Sequence, residues 1–126
     1  MTETMQAVKF DDKFDLEMQK KFLSLLIFDK DWAKLNGFEI IKPECFENII
    51  LRNFCIWIHT YYKSYKVLPT QTVLITQAKE YTNDKNVGLE TYLLYQDAIK
   101  DICTRDETDD TQYHKDKVII FARQDD

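Results

Sequence analysis

An all-α fold is predicted, a compact bundle of helices around one long central helix, and two observations predict it. The chain has only two glycines and two prolines among 126 residues, which leaves little material for the tight turns of a many-stranded β protein. The stretch 43–65, PECFENIILRNFCIWIHTYYKSY, carries apolar or aromatic side chains on nearly every side of a 3.6-residue period, and a helix that is apolar almost all round belongs in the middle of a bundle.

Within that stretch Phe46, Ile50, Trp57 and Tyr61 fall on one stripe, widened by Ile49, Ile56 and Ile58. Pro43 suits a first helical turn, where its missing N–H has no partner to lose. Glu44 and Glu47 favour the positive end of the helix, and Lys63 and Lys66 the negative end.

The other elements follow in order. Residues 1–13 show no sustained period and read as a flexible N-terminal arm. Asp15 is placed to cap a first helix, whose inward stripe is Leu16, Leu23, Ile27 and the Phe22–Leu26 pair; Asp29, Lys30 and Asp31 close it. Residues 31–42 form a connection with Gly37 as its turn point, held down by Trp32, Leu35, Phe38, Ile40 and Ile41. The residue before proline is pushed out of helical geometry, so Leu68-Pro69 is an extended link. Thr70 then caps a third helix with Val73, Leu74 and Ala78 inward. Residues 82–88 form a polar loop. A fourth helix spans about 89–103 and buries Leu89, Tyr92, Leu93, Ala98, Ile99 and Ile102, with Tyr95 and Gln96 towards one edge. An acidic linker, TRDETDD, leads to a C-terminal helix over 111–123 that begins a hairpin. The predicted organisation is therefore an arm over 1–13, a helical globular domain over 14–105, and a linker with a terminal interaction helix over 106–126.

Bulk properties bound the function. A chain of this length buries about two-thirds of its unfolded surface, enough for one core. The net charge of −5 argues against tight nonspecific binding to a phosphate backbone, which needs clustered cations. Three cysteines, at 45, 55 and 103, are an odd set that reads as reduced thiols of an intracellular protein. No apolar run approaches bilayer length and the first residues lack the apolar core of a signal peptide. A cytoplasmic location is expected, with no membrane partner.

Catalytic, cofactor and metal sites are expected to be absent. The sequence holds no GxxxxGK[ST] loop, no GxGxxG, no GxSxG and no HExxH, so the common phosphate, dinucleotide, nucleophile and zinc devices are missing. Cys55 and His59 share a helix face at i, i+4, but zinc needs three or four ligands and Cys45, Cys103 and His114 are scattered. A buried thiol and a core-edge histidine are the plainer reading. The carboxylates of 101–110 lack the spacing of a calcium loop. Trp57, Tyr61, Tyr62 and Tyr65 have faces on which bases can stack, yet aromatic residues at helical spacing more often fill a core. The terminal helix carries an apolar side, Tyr113, Val118, Ile119 and Phe121, which either seeks a partner or folds back on its own core. These four are the candidate protein-interaction residues.

Several segments, in order, resemble the N-terminal domain of DnaB-like replicative helicases, bacterial or phage. Leu16, Leu23, Leu25, Leu26 and Ile27 look like the family's leucine-rich opening helix. Pro43-Glu44-Cys45-Phe46 resembles its Pro-Glu-x-Phe lead into the main helix, followed by Arg52, Phe54, Ile56 and Trp57. Tyr65–Thr70 is similar to its short link, Gly88-Leu89-x-x-Tyr92-Leu93 to its Gly-x-x-Tyr-Leu, and Asp110, Tyr113 and Val118 to the start of its hairpin helix. The resemblance spans about 14–124. The P-loop motor of the family is not within these residues.

The resemblance implies a non-catalytic domain that pairs with copies of itself and contacts primase or a helicase loader, touching DNA only indirectly. The helicase-binding domain of primases resembles the same fold, so a primase tail or a loader is the alternative. A single-strand-binding module and a metal protein are weaker readings.

Overall fold

The computed structural model describes residues 9–104 and 111–124. Six helical elements and no strand occur among the described residues, so the fold is all-α.

Helix α1 spans Leu16–Phe28. Asp15 caps it as expected, its Oδ1 accepting the Met18 N–H at 2.9 Å. Phe22, Leu23, Leu25 and Leu26 are buried. Leu16, placed in the inward stripe, is instead 45% exposed. Asp29 ends α1 and its side chain accepts the Trp32 N–H at 3.1 Å, so one residue closes one helix and opens the next.

The expected connection over 31–42 is largely helical. Lys30–Trp32, a π-helical segment Ala33–Gly37 and Phe38–Ile40 form one continuous element, α2. Gly37 is not a turn: its φ of −59° and ψ of −46° are helical. A Cβ there would lie 2.6 Å from Leu26 Cδ2 and 3.1 Å from the Trp32 ring. Glycine is needed because α2 lies tightly against α1 and its own Trp32. Leu35 is exposed, while Ala33 and Ile41 reach the core.

Helix α3 spans Ile49–Tyr65 and starts six residues later than expected. Pro43–Cys45 is a separate 3₁₀ turn, and Asn48 is the cap, its Oδ1 accepting the Ile50 and Leu51 N–H groups at 3.0 and 3.1 Å. An asparagine that satisfies two orphan donors defines the start better than proline and glutamates upstream. The buried face is also turned from the expected stripe. Leu51, Phe54, Cys55 and Ile58 are buried, Ile50, Trp57 and Tyr61 are half-buried, and Ile49 and Ile56 are exposed. The face chosen carries no phenolic hydroxyl that would lose water. Lys66 ends α3 with φ 62°, its N–H donating to the Tyr62 carbonyl.

Helices α4, Gln71–Asp84, and α5, Leu89–Cys103, pack along each other. Thr70 caps α4 as expected, accepting the Val73 N–H at 3.2 Å. The start and end of α5 coincide with expectation, but its azimuth does not: Leu89 and Leu93 are exposed and Tyr95 is buried. A polar partner permits this. The Asn53 amide donates to the Tyr95 hydroxyl at 2.7 Å, so ring and hydroxyl can both leave water. Tyr95→Phe leaves that amide buried without its acceptor, and a loss of about 1–3 kcal/mol is expected in chemical denaturation. Adding Asn53→Leu to Tyr95→Phe should recover part of it.

Helix α6, Thr111–Gln124, folds back on α1. Val118 and Phe121 belong to the same core cluster as α1 and α3. Phe10 joins them: it is fully buried in a 3₁₀ turn over Phe10–Asp12, with ring centroids 5.2 Å from Phe22, 5.0 Å from Phe46 and 5.0 Å from Phe121. The expectation of a loose arm over 1–13 is therefore corrected from Phe10 onward. Residues 1–8, and the linker over 105–110, lie outside the described residues.

An ion pair between Lys115 and Asp29 ties α6 to the α1–α2 junction. The hydrogen bond from Lys115 holds the Asp29 carboxyl below its ordinary 3.8, against the opposing effect of burial. A carboxylate with a lowered folded pKa stabilises above its unfolded value and loses that contribution as pH falls towards the folded one. The stability difference between the wild type and Asp29→Asn should therefore be full at neutral pH and shrink below pH 3.8, as thermal melts along a pH series will read.

Candidate docking surface

Cys55 and His59 do face the same way, but towards a backbone oxygen. The Cys55 thiol donates to the Ile41 carbonyl at 3.6 Å and His59 Nε2 reaches the same oxygen at 2.8 Å. A carbonyl only accepts, so the imidazole carries its proton on Nε2. Burial pushes the Cys55 thiol well above its ordinary value, helped by Cys45 and Glu44, the opposite of what a nucleophilic thiolate needs. Burial likewise raises Cys103 to about 11. No group of three His, Cys, Asp or Glu among the described residues is arranged to hold a metal ion.

The four aromatic residues named as a possible stacking platform do not form one. Trp57 packs on Tyr81 and Tyr95, at 5.9 and 5.6 Å. Tyr62 stacks on Phe38 at 4.7 Å, and Tyr61 and Tyr65 lie 4.5 Å apart. Each ring face is taken by another ring of the chain.

The candidate residues on α6 divide. Val118 and Phe121 are buried and cannot meet a partner; the helix covers its apolar side with its own core, the second of the two outcomes weighed. Ile119 is half-buried and Tyr113 exposed. The outward stripe is instead Tyr113, Lys117 and Ile120, at i, i+4 and i+7. Lys117 lies over the Tyr113 ring, 5.2 Å from its centroid. Ile120 was legible from that spacing, once α6 was given an outer face.

A second surface went unnoticed in the sequence. A cleft of about 420 Å³ opens between the start of α1, the start of α3 and one face of α5. Leu16 and Lys20 line it from α1, Asn48, Ile50 and Leu51 from α3, and Leu94, Asp97, Ala98 and Asp101 from α5. Those four positions on α5 recur at i, i+3, i+4 and i+7, which is one helix face. Leu94 is 57% exposed there. The Lys20 ammonium bridges Asp101 at 3.1 Å and Glu17 at 3.5 Å. An apolar floor with carboxylates on its walls is a surface for another polypeptide.

No helix among the described residues is long and apolar enough to cross a membrane. Comparisons of the chain with protein-family models, curated protein sequences and solved structures found no match.

Proposed function

We propose that this chain is a non-catalytic assembly and docking domain of a replicative DNA helicase, one that self-associates and contacts primase or a helicase loader. The observation that carries the reading is positional. The segments that resemble the N-terminal domain of DnaB-like helicases fall in order on corresponding parts of one helical unit. The leucine-rich run is α1. Pro43–Phe46 forms the turn that leads into the longest helix, with Phe46 buried. Gly88 is the cap of α5, and Tyr113 and Val118 lie on α6. A cleft with an apolar floor, on a chain whose buried thiols and histidine serve its own backbone, supports binding rather than chemistry.

The test is direct binding. The chain, immobilised, is offered the purified replicative ATPase motor, primase and loader of its own source in turn. Saturable binding to primase or loader, with no nucleotide hydrolysis by the chain itself, is the expected result. Binding to the N-terminal region of the helicase would move the chain to the primase or loader side, and binding to none of the three would overturn the reading.

A further inference from the structure

We propose that the cleft between α1, α3 and α5 receives the outward stripe of α6 from a second copy of this chain, making a head-to-tail contact. The inference rests on the assembly reading above and names the two faces that carry it. The choice of occupant comes from complementary chemistry. The floor offers Leu16 and Leu94, both substantially exposed, beside half-buried Ile50. The walls are acidic: Asp97 and Asp101 on α5, with Glu17 beside them on α1. The cation of the cleft, Lys20, is already engaged by Glu17 and Asp101, while Asp97 is exposed.

The α6 stripe is the matching shape. Tyr113 and Ile120 are 53% and 49% exposed, large for apolar groups on one short helix. Lys117 sits between them and Arg123 is exposed on the flank. An apolar–cation–apolar row fits an apolar floor beside a carboxylate, and opposite charges set its register. Both halves are on the same chain but on different helices, so each copy can give its stripe to one neighbour and its cleft to another. Such a contact is heterologous and builds a ring, or an open row if the rotation does not close.

Sedimentation equilibrium of the intact chain at low salt tests this. Mass should grow with concentration beyond a dimer, and added salt should weaken the association. Asp97→Lys and Lys117→Glu, both at exposed positions, should each weaken it by about tenfold or more, with unchanged circular dichroism. The D97K/K117E double variant, or an equimolar mixture of the two single variants, should restore it, because every junction then pairs opposite charges. A strict monomer at high concentration overturns the inference, as does association indifferent to both substitutions or a double variant that stays weak. A monomer whose cleft instead binds a basic helix of primase or loader would also overturn it while leaving the docking-domain reading intact. Failure of that reading is seen separately, in the partner-binding assay.

Discussion

Phe10→Ala should lower the unfolding free energy by about 3–5 kcal/mol, the range for emptying a buried phenylalanine site. The ring is fully buried and contacts aromatic rings from four parts of the chain: Phe14, Phe22, Phe46 and Phe121. Those neighbours sit on different elements, so they cannot all move in to close the space. Domains of this size are stable by about 5–15 kcal/mol, so the loss is a large share of the total. Urea titration should show a lower midpoint at an unchanged slope. A loss below about 1 kcal/mol, the size of an ordinary surface effect, would mean that the turn over Phe10–Asp12 is only loosely attached.

Phe121→Ala should cost a similar amount, about 3–5 kcal/mol, and its consequences should be uneven. Phe121 is 4% exposed, with ring centroids 5.0 Å from Phe10 and 5.7 Å from Phe14. It anchors α6, whose other ties to the bundle are Val118 and the Lys115–Asp29 pair. Hydrogen exchange should therefore rise first in the amides of 111–124 and only later in α1 and α3. If the amides of α6 already exchange as fast in the wild type as in the variant, the helix is not docked. Since Phe10 and Phe121 touch, the double variant should depart from the sum of the singles by about 0.5–3 kcal/mol.

The fold class, the caps at Asp15 and Thr70 and the span of α5 were legible because each rests on local chemistry. A side-chain oxygen three residues before an orphan N–H is visible in sequence. Azimuth was not legible. In α3 almost every side is apolar, so the pattern cannot say which side turns in; phenolic hydroxyls and the Asn53–Tyr95 bond decide it. Tyr95 went inward and Leu89 and Leu93 outward for the same reason, since a polar group with a distant partner looks exposed in sequence. Phe10 looked like part of an arm because one buried ring in a polar stretch has no period. The cleft joins residues of α1, α3 and α5 that are far apart in the chain, and no spacing links them. Val118 and Phe121 were correctly seen as an apolar side of α6, but whether a helix covers its own core or another molecule is set by the chain reversal that precedes it.

The wide turn over Ala33–Gly37 has a consequence for how this segment tolerates change in length. A π-helical turn holds one residue more than an ordinary turn. Deleting a single residue there would let the backbone ladder close into a regular α-helix with no broken bonds. The deletion would also swing everything after it by about 100°. Phe38 would leave Tyr62 and Ile41 would leave the core, taking with it the oxygen that Cys55 and His59 share. The surplus residue thus works as a phase setting between α1 and α3: gaps aligned inside this turn would be silent in the local hydrogen bonding and disruptive one helix away.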